Sequence, residues 1–266
     1  MHIEIQITKG SRNMKENMLQ VEGITKRYDG NCVVDHINYE VKAGEILGFL
    51  GPNGAGKSTT IKMITGIEDV DAGAVIIQGK RELYATREYS QMLGVVPQDI
   101  AVYGDLSAYD NVKFFCSLYG YSGKELADRV EEALKFVGLW DRRKERPGKF
   151  SGGMKRRLNI ACSIAHSPKL LIMDEPTVGI DPQSRNYIME AIQTLNQRGT
   201  TVIYVSHYME EIEHLCDHII IMDHGKILED MQKSQLKEKY QKQDLHNLEE
   251  IFLFITGKEL RDEQAG

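Results

Sequence analysis

Apolar positions along the chain fall into two rhythms. Strand-like pieces occur at Leu19–Ile24 and Asn38–Val41, with turn residues between them. Glu45–Leu50 is a compact apolar run that ends at a glycine-rich loop, and a helix is predicted from Gly56 to Thr65. Ala74–Gln78 and Met92–Val96 read as further strands. Strand, loop and helix alternate here, which predicts an α/β core.

From Ser107 to about His166 the pattern changes to helical spacing with almost no β-branched runs. Ser107 followed by Asp110 resembles a capping box in which Asp replaces the usual Glu or Gln. Leu126, Val130, Ala133, Leu134 and Val137 share one helical face, and Gly138 is a stop signal. A helical insert over about 105–166 is the expectation. Strand patterns return at Leu170–Asp174, Thr201–Ser206 and His218–Asp223, and Asp223-His224-Gly225-Lys226 reads as a hairpin turn. Between them Asp181-Pro182 opens a helix carrying Ile188, Ala191, Ile192 and Leu195 on one face. After Lys233 the chain is polar to Leu245, and the stripe Leu248, Phe252, Ile255 predicts a docked helix within a tail over 233–266. Residues 1–17, with Ile3, Ile5 and Ile7 in alternation, read as an extension of the main domain at 18–232.

Composition narrows the class. The chain has 266 residues, 41% hydrophobic and 27% charged, an ordinary globular balance with enough length for a large core. The formal charge of -6 argues against nucleic acid as the main partner. The cysteines Cys32, Cys116, Cys162 and Cys216 form no C-x-x-C pair, which suits a reducing compartment, and Cys162 is expected to pack inside a helix. No apolar stretch is long enough to span a membrane. His214, Cys216 and His218 are close in sequence, but a helix-to-strand change falls among them, so they are not read as metal ligands. The charge run Arg142-Arg143-Lys144-Glu145-Arg146 reads as a solvated face, with Trp140 beside it as a packing anchor.

Two elements carry chemistry. Gly51-Pro52-Asn53-Gly54-Ala55-Gly56-Lys57-Ser58-Thr59 matches G-x-x-x-x-G-K-[ST], between a strand and a helix as the mechanism requires. Glycines allow backbone N–H groups to turn inward around an anion, and the helix N-terminus adds partial positive charge. Lys57 would bridge the β- and γ-phosphates of a nucleotide, and the Ser58 hydroxyl would ligate Mg²⁺. Leu170-Leu171-Ile172-Met173-Asp174-Glu175 is an apolar strand ending in two carboxylates. Asp174 would hold Mg²⁺ through water, and Glu175 would orient or deprotonate the attacking water.

Ser151-Gly152-Gly153-Met154-Lys155-Arg156-Arg157, followed by a helix-like run, is a third element. It resembles the signature of the ATP-binding cassette (ABC) ATPases, and the order and spacing of motifs resemble that family from about Leu19 to Met231. The resemblance implies a P-loop NTPase core with an antiparallel β subdomain and an inserted α-helical subdomain. It implies ATP and Mg²⁺ as ligands. Tyr28 would match the aromatic that stacks on adenine. Gln98 would match the loop glutamine that touches Mg²⁺ and the attacking water. Asp181, in Gly179-Ile180-Asp181, would match the loop that crosses the dimer interface, and His207 the switch histidine at the γ-phosphate. The signature departs from the family pattern at Phe150 and Met154, where Leu and Gln are usual.

In that family Ser151, Gly152 and Gly153 complete the site of a second subunit in a head-to-tail dimer, here expected to be a homodimer. A terminal Met followed by Lys-Arg-Arg, and the ending Leu248-Glu249-Glu250-Ile251-Phe252-Leu253 with Thr256-Gly257-Lys258, look like the exporter-type branch whose permease is a separate chain. The expectation is thus an ATPase on the cytoplasmic face of the membrane, driving export through an integral membrane partner. The competing readings are a non-transport ABC ATPase acting on DNA or ribosomes and a nucleotide-binding module without turnover. The first lacks its usual coiled-coil insert or second cassette here, and Glu175 and His207 argue against the second.

Overall fold

The structure is a computed structural model that describes residues 16–81 and 86–257. The alternation at Ile3, Ile5 and Ile7, and Lys258, lie outside the described residues. The N-terminal half contains β1 (Asn17–Tyr28), β2 (Asn31–Lys42), β3 (Ile46–Leu50), α1 (Lys57–Ile64), β4 (Ala72–Ile77), β5 (Lys80–Arg81), α2 (Arg87–Met92) and β6 (Leu93–Val96). A helical block follows: α3 (Ala108–Leu118), α4 (Gly123–Phe136) and α5 (Gly152–Ile164). The chain then returns to strands with β7 (Leu170–Asp174), α6 (Pro182–Gln197), β8 (Thr201–Val205), α7 (Met209–Leu215), β9 (His218–Asp223) and β10 (Lys226–Gln232), and ends in α8 (Lys233–Tyr240) and α9 (Leu248–Thr256).

Two sheets result. One is antiparallel with the order β2-β1-β4-β5; the other has the order β10-β9-β3-β8-β7-β6, parallel except for β10. The parallel strands are apolar at nearly every position because both faces are covered. Alternate residues divide cleanly between two cores. Ile46, Leu50, Leu171, Met173, Val202, Tyr204, Ile219 and Ile221 join the core shared with the helical block. Leu47, Phe49, Leu170, Ile172, Ile203, Val205, Ile220 and Met222 join the core shared with the antiparallel sheet and α1. The period of two in the strands therefore glues the three layers together.

Local signals act as their chemistry dictates. Asp181 caps α6, accepting from Ser184 N–H at 2.9 Å, with Pro182 in the first turn. Ser107 caps α3, accepting from Asp110 N–H at 3.1 Å. The reciprocal half of a capping box does not form: the shorter Asp110 carboxylate accepts from the Ser107 hydroxyl instead. Cys162 is buried, as its packing role required. Arg142 pairs with Glu145 at 2.7 Å and Arg143 lies over the Trp140 ring at 4.3 Å, so this charge run packs on itself rather than facing water throughout.

Several expectations were too short or incomplete. β1 and β2 run well beyond Leu19–Ile24 and Asn38–Val41, because register shifts let them bend while staying paired. Met92 ends α2 instead of starting β6. The polar stretch after Lys233 is helical. It is tied down by buried Glu229 of β10, which accepts from Lys239 Nζ at 2.5 Å and from the Tyr240 hydroxyl. In α9, Leu248 is buried as expected, but the other anchor is Ile251, while Phe252 and Ile255 are half-buried.

Candidate active site

Neighbouring parallel strands of the larger sheet deliver side chains at their carboxyl ends. β3 runs into Gly51–Thr59, β8 into Ser206 and His207, β7 ends in Asp174 with Glu175 directly after it, and β6 leads to Pro97 and Gln98. This edge is where open α/β sheets bind ligands. Gly51, Pro52, Asn53, Gly54, Ala55, Gly56, Lys57, Ser58, Thr59, Gln98, Asp174, Glu175 and His207 line one cavity of about 650 Å³. Sequence reasoning had named all of these.

The loop is shaped for an anion. Gly56 stands at the N-cap of α1 with φ 103°, and a Cβ there would meet the Val33 carbonyl oxygen at 2.8 Å. Only glycine fits that position. It offers no side chain to cap α1, and the first turn carries no acidic residue, so the early N–H groups of the helix face the cavity without an internal competitor. Lys57 Nζ donates to the carbonyls of Gly51 at 2.6 Å and Pro52 at 3.0 Å, which holds the ammonium along the loop. Burial pushes its pKa below the ordinary lysine value, while Glu175 and Asp174 pull the other way. Asp174 is displaced upward by burial and by Glu175, offset by Lys57. A cation shared by two carboxylates beside a helix N-terminus fits a polyphosphate with its metal ion. The oxygen donors Ser58, Gln98 and Asp174 fit a hard divalent cation such as Mg²⁺.

Glu175 occupies the left-handed backbone region at φ 45°, which a non-glycine residue adopts only when its surroundings hold it there. The hold is visible: Glu175 N–H donates to Val205 O at 2.9 Å, locking the tip of β7 to the end of β8. Its Oε1 then lies 3.2 Å from His207 Nδ1. The His207 ring is half exposed and leans on Tyr208, with centroids 4.2 Å apart. Gln98 is held through its backbone. Buried Arg156 of α5 donates to Pro97 O at 2.7 Å and to Gln98 O at 2.5 Å.

Five named residues do not line the cavity. Tyr28 is exposed at the end of β1, with Lys26 Nζ 5.5 Å from its ring centre. Ser151 and Gly152 are exposed at the start of α5, and Asp181 is exposed at the start of α6. Gly153 is buried against α6: a Cβ there would meet Ser184 Oγ at 2.0 Å. The signature and the Asp181 loop thus sit side by side, at a place apart from the phosphate loop.

The family model for ABC transporters matches residues 34–178, more than half of the chain. The chain belongs to the ABC transporter family. It is the ATP-binding subunit of such a transporter, and it is an ATPase. The linearmycin resistance ATP-binding protein LnrL of Bacillus subtilis (strain 168) is 51% identical over 211 residues, covering 79% of this chain and 68% of that protein. The Nod factor export ATP-binding protein I of Cupriavidus metallidurans is 38% identical over 209 residues, covering 79% and 69%. Among solved structures, an ATP-binding subunit of an ABC transporter matches with a TM-score of 0.81 at 27% identity, covering 90% of this chain and 99% of the other. A dimeric ATP-binding cassette in a post-hydrolysis state with ADP and Pi matches with a TM-score of 0.73 at 26% identity, covering 81% and 98%. Neither relative is named for work on DNA or ribosomes.

Within this ABC subunit the cavity has lining residues that the motifs did not announce: Val33, Met209 and Phe252. Val33 follows from β2 passing under Gly56, and Phe252 from α9 packing on α7. Both are long-range contacts with no local signal. Among the described residues, no helix is long and apolar enough to cross a membrane.

Proposed function

We propose that this subunit powers export through a separate integral membrane permease, as half of a head-to-tail pair of ATP-binding subunits at the cytoplasmic face of the membrane. One observation carries the reading. Lys57, Asp174, Glu175 and His207 line one cavity, while Ser151, Gly152 and Gly153 stand elsewhere with no task in it. A second copy turned head to tail gives them one. Ser151 Oγ accepts from Met154 N–H at 3.3 Å, which leaves its own proton to donate to a phosphate of the facing chain. The relatives named for Nod factor export and linearmycin resistance support the outward direction.

The roles follow from position. Backbone N–H groups of Gly54 and Gly56–Thr59 and the Lys57 ammonium bind the phosphates. Tyr28 stacks on the adenine. Ser58, Gln98 and Asp174 would hold Mg²⁺, which would supply positive charge beside the phosphates. Glu175 takes a proton from the attacking water, and His207, 3.2 Å away, fixes the carboxylate and reads the γ-phosphate. Asp181 meets the partner beside the signature. ATP then joins two subunits, and loss of the γ-phosphate removes the bond between them.

The test is affinity purification of the full chain from gently solubilised membranes, with and without Mg-ATP. A stoichiometric multi-span protein is expected. Recovery of ribosomes or DNA with no membrane protein would contradict the proposal.

A further inference from the structure

Glu211 of α7 is completely buried, with no motif to account for it. Its Oε2 accepts hydrogen bonds from Tyr204 OH at 2.6 Å, Thr177 Oγ1 at 2.9 Å and Ser206 Oγ at 3.1 Å. Its Oε1 pairs with Arg185 Nε at 2.6 Å. These partners come from separate elements. Thr177 follows Glu175 by two residues. Tyr204 lies in β8, and Ser206 directly precedes His207. Arg185 sits in the first turn of α6, which Asp181 caps, and Arg185 N–H donates to Asp181 O at 3.0 Å.

We propose that Glu211 is a positioning residue for ATP hydrolysis, holding the tip of β7 with Glu175, the loop of His207 and the start of α6 at Asp181 as one unit. The inference rests on the reading above that Glu175 and His207 act on the γ-phosphate.

The chemistry favours coupling over simple filling of space. A buried carboxylate is an acceptor at every lone pair, so donors from separate loops converge on it without competing donors of its own. One carboxylate oxygen offers about two lone-pair directions, yet three hydroxyls reach Oε2. A shift of one loop therefore changes how well the others are served. Two further contacts carry such a shift to His207. Tyr208 N–H donates to Ser206 Oγ at 3.0 Å. The Arg185 guanidinium lies 5.2 Å from the Tyr208 ring centre, and that ring leans on His207. Burial and the adjacent Glu211 also raise the Tyr204 pKa far above its ordinary value, so Tyr204 stays a donor.

The experiment measures kcat and KM for ATP on the full chain, with rates normalised to sites that bind nucleotide so that misfolded protein does not count. E211Q preserves shape but replaces one acceptor oxygen by a donor. Its kcat should fall about 10-fold or more with KM within about 2-fold, the split expected when a transition-state geometry is lost and ground-state binding is kept. Ser206→Ala and Thr177→Val, which each cut one hydroxyl, should show the same split more weakly. E211Q in a His207→Ala background should cost less than in the wild type, because the residue acts partly through His207. Ser206→Ala and Thr177→Val also decide the matter if E211Q does not fold: wild-type kcat in both overturns the proposal. Wild-type kcat in E211Q overturns it as well. E175Q and His207→Ala serve as controls. Full activity in both would overturn the reading of the site and this inference with it; loss in both beside an unchanged E211Q overturns this inference alone.

Discussion

Lys57 shows how much of the site resides in single side chains. Its ammonium is held by two loop carbonyls, so its head is in place along the phosphate loop. The α1 backbone does not need it, since Thr60 N–H still finds Gly56 O at 2.9 Å. Lys57→Ala should therefore leave the fold intact and weaken ATP binding by roughly 100-fold, the scale for losing one preorganised charged donor. Titration with a fluorescent ATP analogue, beside a thermal melt, checks both halves. Residues of this kind were legible in sequence because their chemistry demands a fixed local spacing: Gly51 to Thr59 is one continuous segment from loop into helix, and Asp174 and Glu175 are consecutive at the end of β7. Glu211 was not legible. It is a single acid in a helix rich in acids, and only the convergence of Thr177, Tyr204, Ser206 and Arg185 gives it meaning.

At the scale of elements, the join between β9, β10 and the entry to β3 rests on a charged ring. His218 Nε2 lies 2.5 Å from Asp230 Oδ1, and its Nδ1 lies 3.3 Å from Glu45 Oε1. Burial works against the charged ring, but the two carboxylates outweigh it and raise its pKa from 6.5 to about 9. Glu45 moves from 4.5 down to about 2: burial opposes its charge, and the His218 ring beside it together with hydrogen bonds from Lys42 N–H and Gln232 prevail. A raised histidine stabilises fully below its unfolded value and ceases to as pH rises through the folded one. A lowered carboxylate stabilises fully above its unfolded value and ceases to as pH falls through the folded one. The cluster should be strongest between pH 4.5 and 6.5, fading toward 9 and toward 2. His218→Gln should cost about 2 kcal/mol near pH 6 and much less near pH 10. Denaturant melts of both proteins across that range check the sign. The parallel strands were legible as apolar runs, since burial on both faces leaves few polar positions between their ends. The lengths of β1 and β2, the helix α2 and the docking of α8 were not. Each depends on a distant partner: register shifts between strands, the packing of Tyr89 and Met92 into the core, and Glu229 beneath α8.

At the scale of the whole molecule, the layered core puts the two halves of a nucleotide clamp on separate regions. The phosphate loop, Asp174, Glu175 and His207 share the carboxyl edge of the parallel sheet, while Ser151, Gly152 and Gly153 stand at the tip of the helical block beside Asp181. The central claim is that a second copy brings these halves together around ATP. The direct test is the solution mass of E175Q, measured by light scattering with Mg-ATP, with Mg-ADP and without nucleotide. Removing the general base should let ATP persist, so a dimer is expected with Mg-ATP alone, and adding Ser151→Arg should return it to monomer while nucleotide binding by each chain remains. An E175Q protein that stays monomeric at saturating Mg-ATP, or a dimer indifferent to both nucleotide and Ser151→Arg, would contradict the account.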